Sequence, residues 1–131
     1  MAGNTIGLVA QQAGVGVETV RFYQRRGLIQ EPPTPAKGFR VYPEETIERI
    51  RFIRRAKDLG FTLGEIAGLL ELKVDPGQNC ASVKAYALDK IALIEEKIRS
   101  LDGMRQQLTR LTEACDDGKP TSECAILEAL Q

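Results

Sequence analysis

Three cysteines, at positions 80, 115 and 124, are the residues of this 131-residue chain best suited to chemistry. A thiolate is a soft ligand that binds ions such as Hg(II), Cd(II), Pb(II), Cu(I) and Zn(II), and two thiols can also form a disulfide. The chain has no histidine, which excludes imidazole-bound zinc and a histidine-based catalytic triad. The cysteines therefore predict a metal site, with a redox switch through Cys115 and Cys124 as the alternative.

The segment between Cys80 and Cys115 has the apolar pattern of one long amphipathic helix. A continuous helix rises 1.5 Å per residue, so 35 residues would hold these two cysteines about 50 Å apart, and they cannot meet within one chain. In an antiparallel pair of helices Cys80 of one chain would lie beside Cys115 of the other, and Cys124 could fold back to supply a third sulfur. The sequence predicts a homodimer with a thiolate site at each end of its coiled-coil seam. Apolar residues at steps of three and four are expected to form the interface: Ala87, Ile91, Ile94, Ile98, Leu101, Leu108 and Leu111.

The elements that must position this helix are short. Thr5 is a candidate N-cap for a first helix over residues 5–13, and a second helix over residues 17–26 follows a turn that contains Gly14. Two short helices joined by such a turn indicate a helix-turn-helix. Residues 39–42, after a proline-rich segment, predict one strand of a hairpin that would form a wing. A third helix over residues 44–59 and a fourth, opened by a capping box of Thr62 and Glu65, complete this part.

The charge distribution indicates a surface that binds a polyanion. The whole chain has 18 Lys and Arg against 18 Asp and Glu, but residues 21–57 contain ten Lys or Arg and four Glu. This local excess suits the phosphates of double-stranded DNA. We expect DNA contacts from the second helix, the wing and the third helix, through Val17, Glu18, Thr19, Arg21, Tyr23, Gln24, Arg40, Tyr42, Arg54 and Arg55.

Several of these motifs together resemble the MerR family of transcription regulators. The resemblance rests on the runs VETVRFYQRRGLI, GFRVY and RIRFIRRAKDLGFTLGEI and on the long helix after them, and it covers essentially the whole chain. It implies a mainly α fold with a winged helix-turn-helix DNA-binding domain (1–72), a hinge (73–79), an antiparallel coiled-coil dimerisation helix (80–114) and a short metal-binding loop with a final helical turn (115–131). It also implies a homodimer that acts on operator DNA with RNA polymerase, where bound metal leads to distortion of the DNA and activation of transcription.

Within that family the cysteines indicate which metal is sensed. Copper(I) sensors use two cysteines in the loop and lack one at the start of the long helix, and zinc sensors add a cysteine and a histidine. Three sulfurs at the spacing of Cys80, Cys115 and Cys124 resemble the mercury-responsive members, so Hg(II) is the expected effector. Pb(II) or Cd(II) is the alternative, because Asp116, Asp117 and Glu123 could add oxygen ligands.

Other classes fit less of the sequence. A metal-storage protein would leave the arginines and the wing without a role. We expect no enzyme activity and no organic cofactor, since no histidine, phosphate-binding loop or paired-carboxylate cleft can be assigned. No window approaches the length of an apolar membrane span, and the N-terminus lacks the features of a signal peptide. A cytoplasmic location is therefore expected, where thiols are kept reduced.

Overall fold

The computed structural model describes residues 4–131, and its secondary structure in that range is helical. The first three residues, with which the predicted DNA-binding domain begins, lie outside the described residues. Six α-helices and one short 3₁₀ helix are found between residues 4 and 131: α1 (Ile6–Ala13), α2 (Val17–Arg25), α3 (Glu44–Asp58), α4 (Leu63–Val74), α5 (Cys80–Glu113), the 3₁₀ helix (Thr121–Glu123) and α6 (Ala125–Ala129). The chain divides into two compact units, the first ending at Tyr86 and the second beginning at Ala87.

The first helix begins and ends where its capping residues predict, and the second runs to Arg25, one residue short of the predicted end. The hydroxyl of Thr5 accepts the N–H of Leu8 at 3.4 Å and caps α1. Gly14 ends that helix in the left-handed region at φ 74°, a conformation that glycine adopts without steric cost. The predicted helix-turn-helix is therefore formed by α1, the turn at residues 14–16, and α2.

The third and fourth helices enclose the core of the first unit. Ile47, Ile50 and Ile53 of α3 are buried, as their spacing predicts, and Ile66 of α4 is completely buried. The capping box of Thr62 and Glu65 is present in both directions, at 2.8 and 3.2 Å. Burial of such side chains contributes about 1.5–3 kcal/mol each relative to exposure, which fixes α3 and α4 beneath the helix-turn-helix.

The predicted hairpin strand over residues 39–42 is wrong. No strand forms within residues 4–131; Tyr42 instead makes one isolated antiparallel bridge, donating its N–H to the carbonyl of Asn4 at 2.8 Å. The physical reason lies in the opposite arm of the presumed hairpin, where Pro32, Pro33 and Pro35 have no N–H to donate to a ladder. The wing segment, residues 30–42, is therefore an irregular loop.

The long helix is continuous. It runs for 34 residues, from Cys80 to Glu113, close to the predicted range of 80–114. The connection that precedes it is shorter than residues 73–79, because α4 continues through Lys73 and Val74. None of the helices in residues 4–131 combines the length and the apolar composition needed to cross a membrane.

Candidate metal site and nucleic-acid interface

Cys80 is the first residue of α5 and is exposed. The residue before it fixes the start of the helix: the side-chain oxygen of Asn79 accepts the N–H of Ala81 at 3.0 Å, and its carbonyl accepts the N–H of Ser82 at 3.2 Å. Asn79 thus caps α5, a role that the sequence analysis missed although asparagine before a helical pattern is a usual start signal. The thiol of Cys80 is presented at the first turn of α5.

Cys115 follows the other end of α5 and is half-buried. Its N–H donates to the carbonyl of Thr112 at 3.2 Å. The chain then turns at Asp116, whose side chain accepts the N–H of Gly118 and whose carbonyl accepts the N–H of Lys119, both at 3.0 Å. This turn and the 3₁₀ helix bring the chain back, so that the thiols of Cys124 and Cys115 lie close enough to shift each other's pKa.

Cys124 is the N-cap residue of α6 and is also half-buried. Its sulfur makes no full capping hydrogen bond, but it lies close to free N–H groups of the first turn. The N–H groups of Leu127 and Ile126, with a smaller contribution from Cys115, lower the pKa of the Cys124 thiol below its ordinary value. Donors aimed at a sulfur stabilise its thiolate form.

The pKa of Cys115 is shifted in the opposite direction. Partial burial raises it most, followed by the charge of and hydrogen bond with Cys124 and then by the carboxylates of Asp117 and Asp116. The pair therefore holds one thiolate readily and the second thiolate reluctantly, which is the arrangement expected of two like charges that share a site. A bound cation would remove that repulsion.

The two thiols of the second unit fit a soft metal, but they do not complete a site within the chain. No group of three or more His, Cys, Asp or Glu residues suited to hold a metal is found in residues 4–131. Cys80 belongs to the first unit, while Cys115 and Cys124 belong to the second. Of the three predicted ligands, the structure brings together Cys115 and Cys124.

The predicted DNA-contacting residues of α2 fall into two groups. Glu18 and Arg21 are exposed and form an ion pair at 2.8 Å, and Val17 and Thr19 are half-buried. Tyr23, by contrast, is buried in the core, as is Tyr42 after the wing segment. The rings of both tyrosines therefore pack within the protein, and the hydroxyl of Tyr42 donates a hydrogen bond to Gln24.

A network of polar side chains joins α2 to the wing segment. Gln24 donates to the carboxylate of Glu31 at 3.1 Å and accepts a hydrogen bond from the hydroxyl of Tyr42. Arg40 donates to the carbonyl of Pro32 at 3.0 Å and to the hydroxyl of Thr34 at 2.6 Å. Beside this network lies an open cleft of about 570 Å³, lined by Thr5, Ile6, Arg21, Gln24, Arg25, Glu31, Phe39, Arg40 and Tyr42.

The arginines of α3 do not all behave as free phosphate-binding groups. Arg54 and Arg55 are exposed residues of that helix, but Arg54 donates to the carbonyl of Ala13 at 3.0 Å. Arg51 and Arg49, which were not among the predicted site residues, donate to the carbonyls of Gln12 at 3.0 Å and Leu28 at 2.6 Å. Sequence shows that arginines recur along this helix, whereas their backbone partners are set by how α3 packs.

The predicted dimer interface is exposed in the single chain. Ala87 and Leu111 are half-buried. The exposed fraction of the other predicted residues lies between 39% at Ile94 and 62% at Leu101, with intermediate values for Ile91, Ile98 and Leu108. One helix that exposes this many large apolar residues in a row is typical of a surface that another protein covers.

Comparison with known proteins gives consistent matches over nearly the whole chain. A family model described as MerR HTH family regulatory protein matches residues 5–73, and one described as MerR, DNA binding matches residues 47–111. The mercuric resistance operon regulatory protein of Bacillus cereus is 40% identical over 125 residues, which is 95% of each chain.

Two solved structures of regulators are similar to this one. The lead(II) complex of the regulator PbrR691 from Ralstonia metallidurans has a TM-score of 0.87 at 36% identity, covering 98% of this chain and 99% of that one. The mercury(II) complex of a dual-function regulator from Bacillus megaterium has a TM-score of 0.75 at 35% identity, covering 97% and 98%.

Proposed function

Since the chain belongs to the MerR family of transcription regulators, we propose that it is a mercury-responsive member that binds operator DNA as a homodimer. In this proposal Hg(II) is the effector, and its binding to three cysteines activates transcription. The protein is a transcription regulator, like its relatives, and not an enzyme. We retain the predicted domains as part of the proposal: a DNA-binding domain (1–72), a hinge (73–79), a dimerisation helix (80–114) and a metal-binding loop (115–131). The first two hinge residues, Lys73 and Val74, form the end of α4.

The observation that carries the proposal is the placement of the cysteines: Cys115 and Cys124 lie near each other after the end of α5, the helix that begins with Cys80. The chain offers no histidine, so imidazole nitrogen is not available as a ligand. Three thiolates without nitrogen suit a soft ion, and Hg(II) is the softest of the candidates. The relative from Bacillus cereus is named for mercuric resistance, which supports the same metal.

The third sulfur is proposed to come from the partner subunit. Because α5 is continuous from Cys80 to Glu113, the rise per residue keeps the start and end of that helix apart within one chain. An antiparallel partner would cover the exposed residues of the seam and place its Cys80 beside this chain's Cys115. Each end of the dimer would then hold one site with Cys80 from one subunit and Cys115 and Cys124 from the other.

The DNA-binding surface is proposed to consist of α2, the wing segment and α3. Glu18 and Arg21 are exposed on α2 for base and phosphate contacts, and Arg40 lies in the wing segment at the rim of the 570 Å³ cleft. Arg55 adds positive charge on α3. Val17, Thr19, Gln24, Tyr23, Tyr42 and Arg54 support this surface from positions that are partly or fully engaged within the protein.

The proposed mechanism is allosteric. Metal–thiolate bonds across each end of the dimer would fix the connection before α5 of one subunit against the loop of the other. The DNA-binding domains would then move and distort the operator so that RNA polymerase can start transcription. Distortion of a binding site of this size costs on the order of a few kcal/mol, and linkage requires that DNA distortion and metal affinity influence each other equally.

A second candidate effector is Pb(II) or Cd(II). The observation that favours it is the proximity of two carboxylates, Asp116 and Asp117, which raise the pKa of Cys115; oxygen ligands of this kind suit a harder ion better than Hg(II). The similar structure that contains lead(II) points the same way. A metal-storage protein explains less, because it would leave the arginines and the wing segment without a role. A redox switch through Cys115 and Cys124 would leave Cys80 without one.

Transcription in vitro tests the proposed function. Purified protein, its operator and RNA polymerase are incubated with Hg(II), Pb(II) or Cd(II) under reducing conditions, and transcript is measured against metal concentration. We expect activation by Hg(II) at the lowest concentration and none with the Cys124→Ser variant, which keeps operator binding. Activation first by Pb(II) or Cd(II) would reassign the effector, and failure of the protein to bind operator-like DNA would contradict the proposal altogether.

A further inference from the structure

The last carbonyl groups of α1 accept hydrogen bonds from side chains of another helix. The usual backbone hydrogen bonds are present: the N–H of Gly14 donates to the carbonyl of Gln11 at 3.2 Å, and the N–H of Val15 donates to the carbonyl of Ala10 at 2.9 Å. The carbonyls of Gln12 and Ala13, the last two residues of α1, have no hydrogen-bond donor within the helix and need donors from elsewhere. No basic residue stands in the last turn of α1 to supply them.

Two arginines of α3 fill that need. Arg51 donates to the carbonyl of Gln12 and Arg54 to the carbonyl of Ala13, each at 3.0 Å. The donors are three residues apart and so lie on one face of α3, while the acceptors are adjacent. A cationic guanidinium is favourable at the negative end of a helix dipole, and its bond to a carbonyl is charge-assisted.

The glycine at the turn is matched to this arrangement. A Cβ placed on Gly14 would lie 2.8 Å from Nη1 of Arg54, the same nitrogen that donates to Ala13. Gly14 also has a φ of 74°, which disfavours any other residue. The turn between α1 and α2 therefore has both the conformation and the space that the Arg54 guanidinium requires.

We propose that Arg51 and Arg54 are positioning residues that hold the α1–α2 turn and thereby set the orientation of α2 for DNA recognition. The functional part of this inference rests on the proposed DNA-binding role. It gives Arg54 a positioning role, where the sequence analysis expected a DNA contact. It gives the same role to Arg51, which was not among the predicted site residues. Arg55, next to Arg54 on α3, makes no such bond among the described residues, and Arg55→Gln serves as a control that removes the same charge as Arg54→Gln.

The first test uses the full-length protein without DNA. Arg51→Gln/Arg54→Gln is compared with Arg55→Gln at one fixed protomer concentration. We expect the double variant to melt roughly 3–6 °C lower than wild type and its Gly14 and Val15 amides to exchange roughly tenfold faster. Arg55→Gln should change neither property. Equal melting temperatures and exchange rates in all three proteins would overturn the proposal, whether or not the protein binds DNA.

A milder substitution keeps the test decisive if the double variant does not fold. Gly14→Ala and Arg54→Gln are made singly and together, and their melting temperatures are compared. Since the new Cβ would displace the guanidinium, we expect the two losses to be less than additive. Strict additivity would show that Gly14 and Arg54 do not interact, which contradicts the proposed hold of Arg54 on the α1–α2 turn.

The second test measures operator affinity as a function of salt. A phosphate contact contributes to the slope of log affinity against log salt, and its loss lowers that slope by roughly one. Arg55→Gln should therefore approach wild-type affinity at high salt. The positioning variant Arg51→Gln/Arg54→Gln should stay weaker than wild type even there, because the orientation of α2 is lost. Convergence of both variants with wild type would leave only a phosphate role and contradict the inference.

Discussion

At the scale of single residues, the two thiols at the end of α5 are chemically unequal. The N–H groups of Leu127 and Ile126 lower the pKa of Cys124, whereas partial burial and the neighbouring Cys124 raise the pKa of Cys115. A thiolate, and not a thiol, is the form that binds a metal or reacts with an alkylating agent. Cys124 is therefore the sulfur that would capture an incoming ion first, and Cys115 would lose its proton as the ion binds.

Alkylation of the metal-free protein measures this inequality. A lowered pKa means that the thiolate of Cys124 is already populated at a pH where Cys115 is still protonated. We expect the rate of iodoacetamide modification at Cys124 to rise at lower pH than the rate at Cys115, with each site followed by tandem mass spectrometry. Coincident pH profiles for the two cysteines would contradict the assigned shifts.

The Cys124→Ser variant provides the matched control. Removing the Cys124 sulfur removes the second-largest contribution to the raised pKa of Cys115, so modification of Cys115 should move to lower pH. Partial burial and the carboxylates of Asp117 and Asp116 remain, so the shift should be incomplete.

How far this site could be predicted differs from residue to residue. The cysteines themselves were identifiable because sulfur chemistry belongs to the residue type, and their spacing limited which of them could meet. The difference in pKa between Cys115 and Cys124 could not be predicted, because it depends on the N–H groups at the start of the five-residue helix α6. The placement of Arg54 was missed for the same reason: its carbonyl partner lies 41 residues earlier in the sequence.

At the scale of helices and loops, the contact between α4 and the start of α5 depends on a glycine. A Cβ placed on Gly68 of α4 would lie 2.2 Å from the hydroxyl oxygen of Tyr86 and 2.9 Å from its ring carbon Cζ. Both distances are shorter than real contacts allow, and an aromatic ring cannot move its far end alone. Gly68 therefore allows Tyr86 to pack on α4, which holds the first turns of α5, with Cys80, against α4 within the first unit.

Two alanine substitutions in α4 separate this packing role from helix propensity. Gly64→Ala, with open space around its Cβ, should raise the free energy of unfolding by up to about 1 kcal/mol, since glycine is a poor helix residue. Gly68→Ala gains the same propensity but displaces Tyr86, so we expect a net loss of about 1–3 kcal/mol. Thermal or urea unfolding of both variants measures the difference, and equal stabilisation would show that Tyr86 is not held there.

The helices were largely predictable because their ends are set by local residues. Thr5 and Gly14 bound α1, and Thr62 with Glu65 opens α4, each acting within four residues of the helix end. The wing segment was not predictable in the same way. Alternation of residue types over residues 39–42 resembled a strand, but a strand needs a partner, and the proline-rich arm before it cannot provide the donors.

At the scale of the whole molecule, function is proposed to reside in the dimer. A single chain exposes the apolar seam of α5 and brings two of its three cysteines together. A second copy in antiparallel orientation would cover the seam and supply the missing sulfur at both ends. Dimerisation and metal binding are then coupled: the metal stabilises the dimer by an amount that grows with free metal concentration relative to its dissociation constant.

The central claim is that each metal site takes Cys80 from one subunit and Cys115 and Cys124 from the other. It is tested with two parent variants, Cys80→Ser and Cys115→Ser, and with the verified heterodimer that contains one chain of each. Shared sites leave one end of this heterodimer with all three sulfurs and the opposite end with Cys124 alone. Sites formed within one chain would be broken at both ends.

Hg(II) titration followed by thiolate-to-metal charge-transfer absorption distinguishes these arrangements. Neither parent homodimer should develop the absorption of a three-thiolate site, whereas the heterodimer should recover it and bind one Hg(II) per dimer. Wild-type dimer under the same conditions supplies the reference spectrum. Recovery in the heterodimer is the predicted result, and a verified heterodimer as inactive as its parents would contradict the antiparallel, cross-subunit site.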